Sequence, residues 1–304
     1  MYQPFAATSK WIDIAGPVHY LDFGGKSDGP PIVLVHGLGG SHGSWLAVGA
    51  GLAQYGRVVA IDLSGFGRTP PAERGSTVHA NRRLLSEFLI QVVGEPAILV
   101  GNSMGATVAI LQAANDPHSV AGLVLSGPAV PRALLAPIDP TVARNFALHA
   151  IPGVGSAWLR RRLERLGVEQ YSMETLELVC ADVDRVPGDV VDALIELRRE
   201  QMAFPWLRQS FLDASRSLMS TLLQRRSFDS DIAAIKAPVL VIHGNKDRLV
   251  PEANVERLWA MRPDWQVEML DDVGHVPQLE VPDLFIRLVG SWLKQLSPAV
   301  GSGG

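Results

Sequence analysis

The chain of 304 residues is 47% apolar and 19% charged, a balance that suits a packed globular core and excludes extended disorder. Its net charge of -4, from 31 acidic and 27 basic residues, and the absence of a long Lys/Arg run speak against a nucleic-acid partner. The one cysteine, Cys180, cannot close an internal disulfide and reads as a buried small apolar residue, and no Cys/His spacing suggests a zinc site.

Met1 to Lys10 lacks a basic segment followed by an apolar stretch and a cleavage site, and no window approaches ~18 uninterrupted apolar residues. A cytoplasmic protein without stable membrane insertion is the expectation. Lys10 to Ile14 and Val18 to Asp22 flank Ala15-Gly16-Pro17 and predict a hairpin at an antiparallel edge. Ile32 to Val35, Val58 to Ile61, Ala97 to Val100 and Leu123 to Leu125 are continuous apolar runs, the pattern of strands buried on both faces of a parallel sheet. Between them, Trp45 to Tyr55, Thr77 to Val93 and Met104 to Asn115 have helical length and spacing, with Asp116-Pro117 as a stop.

After Pro128 the strand signal gives way to prolines and then to amphipathic segments near Thr141 to Ala150, Ala157 to Leu166, Glu174 to Val183, Asp189 to Met202 and Leu207 to Leu223. Arg160, Arg161, Arg162 and Arg165 are spaced like one flank of a helix and predict a solvated face. Strands return at Val239 to His243 and Gln266 to Leu270, followed by a last amphipathic helix near Asp283 to Leu296. The predicted class is α/β: a mostly parallel, doubly wound sheet with an inserted helical cap. Residues 1–130 and 231–298 form the two parts of the core, 131–230 the cap, and 299–304 a disordered tail.

Gly101-Asn102-Ser103-Met104-Gly105 follows one predicted strand and opens the next helix, which is the setting of a nucleophile elbow. The glycines leave room for a strained serine whose hydroxyl projects from the strand end, and the helix start supplies a positive dipole and free N–H groups where an oxyanion would form. A second bulk-free turn, His36-Gly37-Leu38-Gly39-Gly40, follows the strand Ile32 to Val35. His36 reads as a structural residue of that turn, and Asp62 as a residue that holds its own loop by accepting backbone hydrogen bonds.

These two turns, together with Asp62-Leu63-Ser64-Gly65-Phe66-Gly67-Arg68-Thr69 after the fourth strand, resemble the α/β-hydrolase superfamily over about Lys10 to Leu296. The resemblance implies a triad in the chain order Ser, acid, His. Ser103 is then the nucleophile, and His275, in Asp272-Val273-Gly274-His275 after the last strand, is the base. Asp247 in Gly244-Asn245-Lys246-Asp247 is the acid, preferred to Asp271 and Asp272, while His243 takes a structural role. The oxyanion donors map to the backbone N–H groups of Leu38 and Met104, and no metal or organic cofactor is implied.

A serine at the elbow disfavours the carboxylate-nucleophile dehalogenases and epoxide hydrolases of the superfamily. The first expectation is therefore hydrolysis of a carboxylic ester of a small to medium, largely apolar molecule. Gly-Asn-Ser-Met-Gly is also similar to the elbow of carbon-carbon hydrolases of the meta-cleavage type, although Leu38 stands where those enzymes carry Pro and Val276 where they carry Trp. Peracid-forming relatives use the same triad, and a ligand-binding receptor on the same fold is a further alternative. Phe146, Trp158, Phe204, Trp206 and Phe211 of the cap are candidates for an entrance or for packing the cap on the core. Lipid contact by Phe146 to Leu159 is opposed by the Pro152-Gly153 interruption, and self-association into a homo-oligomer is left open.

Overall fold

A computed structural model describes residues 7–133, 136, 139–151 and 154–296, and the side chains at 145, 146, 149 and 150 are not described. The expected tail at 299–304, the Pro152-Gly153 interruption and the Phe146 side chain lie outside the described residues.

The strands are β1 (Thr8–Asp13), β2 (Pro17–Gly24), β3 (Ile32–Val35), β4 (Val58–Ile61), β5 (Ala97–Asn102), β6 (Val120–Ser126), β7 (Val239–Gly244) and β8 (Gln266–Leu270). They form a sheet in the order β1-β2-β4-β3-β5-β6-β7-β8. The hairpin β1/β2 is antiparallel and joins β4 antiparallel, while β4 to β8 run parallel, so the expected antiparallel edge is present.

The continuous apolar runs are explained by two cores. Val33, Val35, Leu99, Leu123 and Val241 face one, and Ile32, Leu34, Ile98, Val124 and Leu240 face the other. Alternate residues point to opposite faces, so a strand covered on both sides must be apolar throughout.

The helices are α1 (Gly49–Leu52), α2 (Val78–Phe88), α3 (Met104–Asn115), α4 (Pro140–Ala150), α5 (Val154–Val179), α6 (Gly188–Met202), α7 (Leu207–Leu223), α8 (Arg225–Ala234), α9 (Glu252–Met261), α10 (Pro277–Glu280) and α11 (Pro282–Leu296). None is long and apolar enough to cross a membrane.

The helix expected at Trp45 to Tyr55 is instead a 3-10 turn, His42–Trp45, followed by the short α1. The reason is close packing: a Cβ on Gly49 would lie 2.4 Å from the Phe23 ring. Thr77 caps α2 by accepting from Ala80 N, and a π-turn at Leu89–Val93 takes up the rest of the predicted Thr77 to Val93 helix. The segments expected at Ala157 to Leu166 and Glu174 to Val183 are two limbs of α5, broken at Gly167 (φ 71°). Helices α8 and α9 were not anticipated; α8 carries few apolar residues but buries Phe228 and Ile232, one turn apart.

Parallel registry brings the C-terminal ends of the central strands to one edge: Val35 pairs with Gly101, Asn102 with Ser126, and Ser126 with Ile242. In open α/β sheets this is the edge where loops assemble a site. The helices from α4 onward join the core through Arg68 to Glu200 (2.9 Å), Arg198 Nη2 donating to Gly39 O (3.0 Å) and Arg248 to Asp139 (3.0 Å).

Candidate active site

Ser103 occupies the step between β5 and α3 with φ 53° and ψ -115°, a conformation that L-residues hold only when their surroundings enforce it. The enforcement is visible on both flanks. A Cβ on Gly105 would lie 2.1 Å from Val35 O, and one on Gly101 would lie 2.6 Å from Ala106 N. Ser103 N donates to Ser126 O at 3.0 Å, which pins the turn to the neighbouring strand.

Asp247 and His275 meet across the loops after β7 and β8. His275 Nδ1 donates to Asp247 Oδ2 at 2.7 Å, while Asp247 Oδ1 accepts from Leu249 N at 2.8 Å and Val250 N at 2.9 Å. Burial pushes the Asp247 carboxyl up, but its interaction and hydrogen bond with His275 and the backbone hydrogen bonds outweigh it and hold the group below the usual carboxylate range. Asp247 therefore stays ionised and keeps the ring proton on Nδ1, leaving the Nε2 lone pair free.

Ser103 and His275 line one cavity of about 280 Å³. They make no hydrogen bond to each other among the described residues, a contact that commonly closes only when a reactant is bound. Leu38 also lines the cavity; Met104 is fully buried beside Ser103, at the start of α3. Neither backbone N–H is donated to another described group. The structure thus brings together Ser103, Asp247, His275, Leu38 and Met104. Asp271 accepts from Asn245 Nδ2 at 2.9 Å in an exposed contact and does not line the cavity.

Asn102 lines the cavity, but the nitrogen of its side-chain amide is committed to the backbone. Its Nδ2 donates to Ser126 O at 3.0 Å and to His275 O at 3.1 Å, tying the elbow to the histidine loop. His243 is fully buried, with neither ring nitrogen hydrogen-bonded among the described residues and Nδ1 3.8 Å from Asp247 Oδ2; burial lowers its pKa and keeps it neutral. His36 has the turn-holding contacts expected of it: Nδ1 donates to Gly37 O at 2.8 Å and Nε2 accepts from Leu63 N at 3.0 Å.

The cap side of the cavity corrects one expectation and sorts the candidates of another. Arg160, Arg161 and Arg165 are exposed, but Arg162 lines the cavity, pairs with Glu174 at 2.9 Å, and lies over the rings of Trp158 and Tyr171. Of the named aromatics, Trp158 and Phe211 line the cavity, whereas Phe204 and Trp206 stack on each other (ring centroids 4.8 Å apart) and do not line it. Arg198 was missed. It lines the cavity, donates to Gly39 O in the turn beside Leu38, lies over Tyr171, and has no carboxylate partner among the described residues. Its position inside the charged run of α6 gave no signal to single it out.

A second His-Asp cluster lies under the turn, away from the cavity. Asp62 accepts from His19 Nδ1 (2.7 Å), His42 Nδ1 (2.8 Å), His42 N (2.7 Å) and Arg68 N (3.0 Å). These three side chains are close enough to hold a metal ion, but both Nδ1 protons and the carboxylate are committed to one another, and His19 Nε2 accepts from Ser9 Oγ at 2.8 Å. The arrangement is that of a satisfied hydrogen-bond network. It includes the own-loop contact foreseen for Asp62, through Arg68 N. The two histidine partners were not foreseen.

Cys180 is buried, and burial together with the Glu280 charge pushes its thiol up to about 12, which removes it as a nucleophile.

The sequence profile of the Alpha/beta hydrolase family matches residues 32–288. The chain is 29% identical to the 2-hydroxy-6-oxononadienedioate/2-hydroxy-6-oxononatrienedioate hydrolase of Escherichia coli, over 96% of this chain and 98% of that one. It is 28% identical to the dihydrolipoyllysine-residue acetyltransferase component of the acetoin cleaving system of Cupriavidus necator, over 93% of this chain and 68% of that one. Among solved structures, a meta-cleavage product hydrolase from Pseudomonas fluorescens IP01 superimposes with a TM-score of 0.71 at 26% identity, covering 94% of this chain and 97% of that one.

Proposed function

The chain belongs to the α/β hydrolase family, and from that premise we propose that it is a serine hydrolase that splits a carbon-carbon bond beside the ketone of an anionic oxo acid. Ser103 Oγ adds to the ketone carbon as His275 Nε2 takes its proton, and the oxyanion is held by the Leu38 and Met104 N–H groups. Before that addition the substrate tautomerises from its 2-enol to the 2-oxo form, which moves the enol proton to the carbon beside the 6-ketone; collapse then breaks the bond to that carbon, which leaves as an enolate conjugated with the 2-oxo group and takes up the proton from His275. Water, activated by His275, then hydrolyses the acyl-Ser103 and releases a carboxylic acid. Asp247 fixes the imidazole tautomer throughout.

The observation that carries this choice over an apolar ester is Arg198, a cation on the cavity wall without a carboxylate partner among the described residues. A guanidinium so placed matches a substrate carboxylate, and the name of the Escherichia coli relative's substrate specifies a 6-oxo dioate. A ketone has no heteroatom leaving group, so its hydrolysis must break a carbon-carbon bond.

The test is kcat/KM of wild type and Arg198→Met on a 2-hydroxy-6-oxo-dienoate and on a neutral p-nitrophenyl ester. The oxo acid is expected to lose about 10- to 100-fold, the worth of one charge-assisted hydrogen bond, with the ester nearly unchanged. Equal losses on both, or wild-type turnover of the ester alone, contradict the reading.

Ester hydrolysis is the second reading, favoured by Val276 and Leu38 at the two positions where the sequence departs from the carbon-carbon hydrolases, and by the apolar walls Leu159, Leu197, Phe211 and Leu218. The same triad serves it with an alkoxide leaving group.

A further inference from the structure

Glu280, the last residue of α10, is 1% exposed and does not line the cavity. Its Oε2 accepts from Gly274 N at 2.8 Å and Ala181 N at 3.1 Å, and its Oε1 accepts from Asp182 N at 3.1 Å. Arg185 Nη1 lies 3.5 Å from Oε1 and also donates to Asp272 O at 2.6 Å. Two of these N–H groups follow the end of α5, and the third precedes His275.

The same two segments touch directly. His275 N donates to Val179 O at 2.6 Å, and a Cβ on Gly274 would lie 2.5 Å from Val179 O and 2.6 Å from Ala181 N. Residues 179–182 and 272–275 therefore form one backbone unit around a buried carboxylate. A carboxylate taken out of water is costly unless every oxygen is served, and here three N–H donors and a guanidinium serve it. Upstream, α5 supplies Trp158, Arg162, Tyr171 and Thr175 to the cavity wall.

We propose that Glu280 is a positioning residue that fastens the end of α5 to the backbone of His275, so that a substrate pressing on α5 sets the position of the base. This rests on the reading of His275 as the base. Contacts made far from the reacting carbon are thereby converted into alignment of the imidazole, which raises turnover and not affinity. A glutamine cannot replace the carboxylate: its amide group turns one acceptor into a donor facing backbone donors.

The experiment compares wild type, Glu280→Gln and Ser103→Ala on p-nitrophenyl acetate, whose two-carbon acyl group covers less of the wall that α5 supplies, and on p-nitrophenyl hexanoate, with Tm measured alongside. Glu280→Gln is expected to lower kcat on hexanoate at least tenfold with KM within about twofold. Its loss on acetate should be threefold or less, so that the advantage of the longer chain shrinks. Equal fractional losses on the two esters, losses that track the folded fraction, or no loss at all overturn the proposal. Ser103→Ala separates the two readings: if it keeps wild-type activity, the triad itself fails, whereas a dead Ser103→Ala beside an unaffected Glu280→Gln removes only the role of Glu280.

If Glu280→Gln does not fold, amide hydrogen exchange on the wild type decides. The Ala181, Asp182, Gly274 and His275 amides are expected to share one protection level, and to shift together when a long-chain fluorophosphonate caps Ser103. Exchange at Ala181 and Asp182 more than tenfold faster than at Gly274 and His275 overturns it.

Discussion

Two His-Asp clusters stand on opposite sides of the sheet's central strands, one by β2 and β4 and one after β7 and β8, and serve different ends. Under the first turn, Asp62 accepts hydrogen bonds from His19, His42 and two backbone N–H groups, and both histidines are buried away from the cavity. At the cavity, Asp247 accepts one hydrogen bond from His275 Nδ1 and two from backbone N–H groups, which leaves His275 Nε2 free on a wall it shares with Ser103. A histidine-carboxylate pair is not in itself a catalytic device; an unpaired nitrogen with access to a nucleophile makes it one.

The comparison can be broken most sharply at Asp247. Asp247→Asn should cost on the order of 10³- to 10⁴-fold in kcat, by analogy with triads that lose the correct tautomer, while Tm changes little. A loss under tenfold would place Asp247 with Asp62 as a structural acid. Asp62→Ala should behave in the reverse way. It strands three buried donors and a partly buried one and should lower unfolding stability by ~3–5 kcal/mol, read by urea denaturation, with kcat per folded molecule preserved.

The smallest effect lies in the pH dependence of stability. Burial lowers the pKa of His19, His36 and His243 in the folded chain. The unfolded chain, with histidines near 6.5, therefore binds protons more readily than the folded one below that pH. The stability these neutral histidines contribute is complete above about pH 6.5 and is lost as pH falls through their lowered folded values. Thermal melts between pH 7.5 and 5 should show Tm falling on the acid side, and a flat profile would mean that these rings are not held neutral.

The sheet was legible in the sequence because burial on both faces forces unbroken apolar runs, and the elbow was legible because a strained serine demands glycine at both flanks. Asp247 and His275 were found through their loops after β7 and β8. Arg162 and Arg198 were not, since helical periodicity does not distinguish a cation facing a cavity from one facing water. Glu280 escaped for a related reason: its partners are backbone N–H groups of residues about 100 positions earlier and six positions earlier, and backbone donors leave no trace in side-chain identity. The Trp45 to Tyr55 helix failed because its periodicity was apolar enough, but its glycines are placed for the approach of other side chains, Gly49 for Phe23 and Gly51 for Ile286.

The most direct test of the central claim is to treat the wild-type chain and His275→Ala with a fluorophosphonate and measure intact mass and the labelled peptide. One adduct per chain on Ser103, slowed at least a hundredfold in His275→Ala, is the predicted result. Labelling at another residue, or at equal rates in the two proteins, would contradict the assignment of Ser103 as a nucleophile activated by His275.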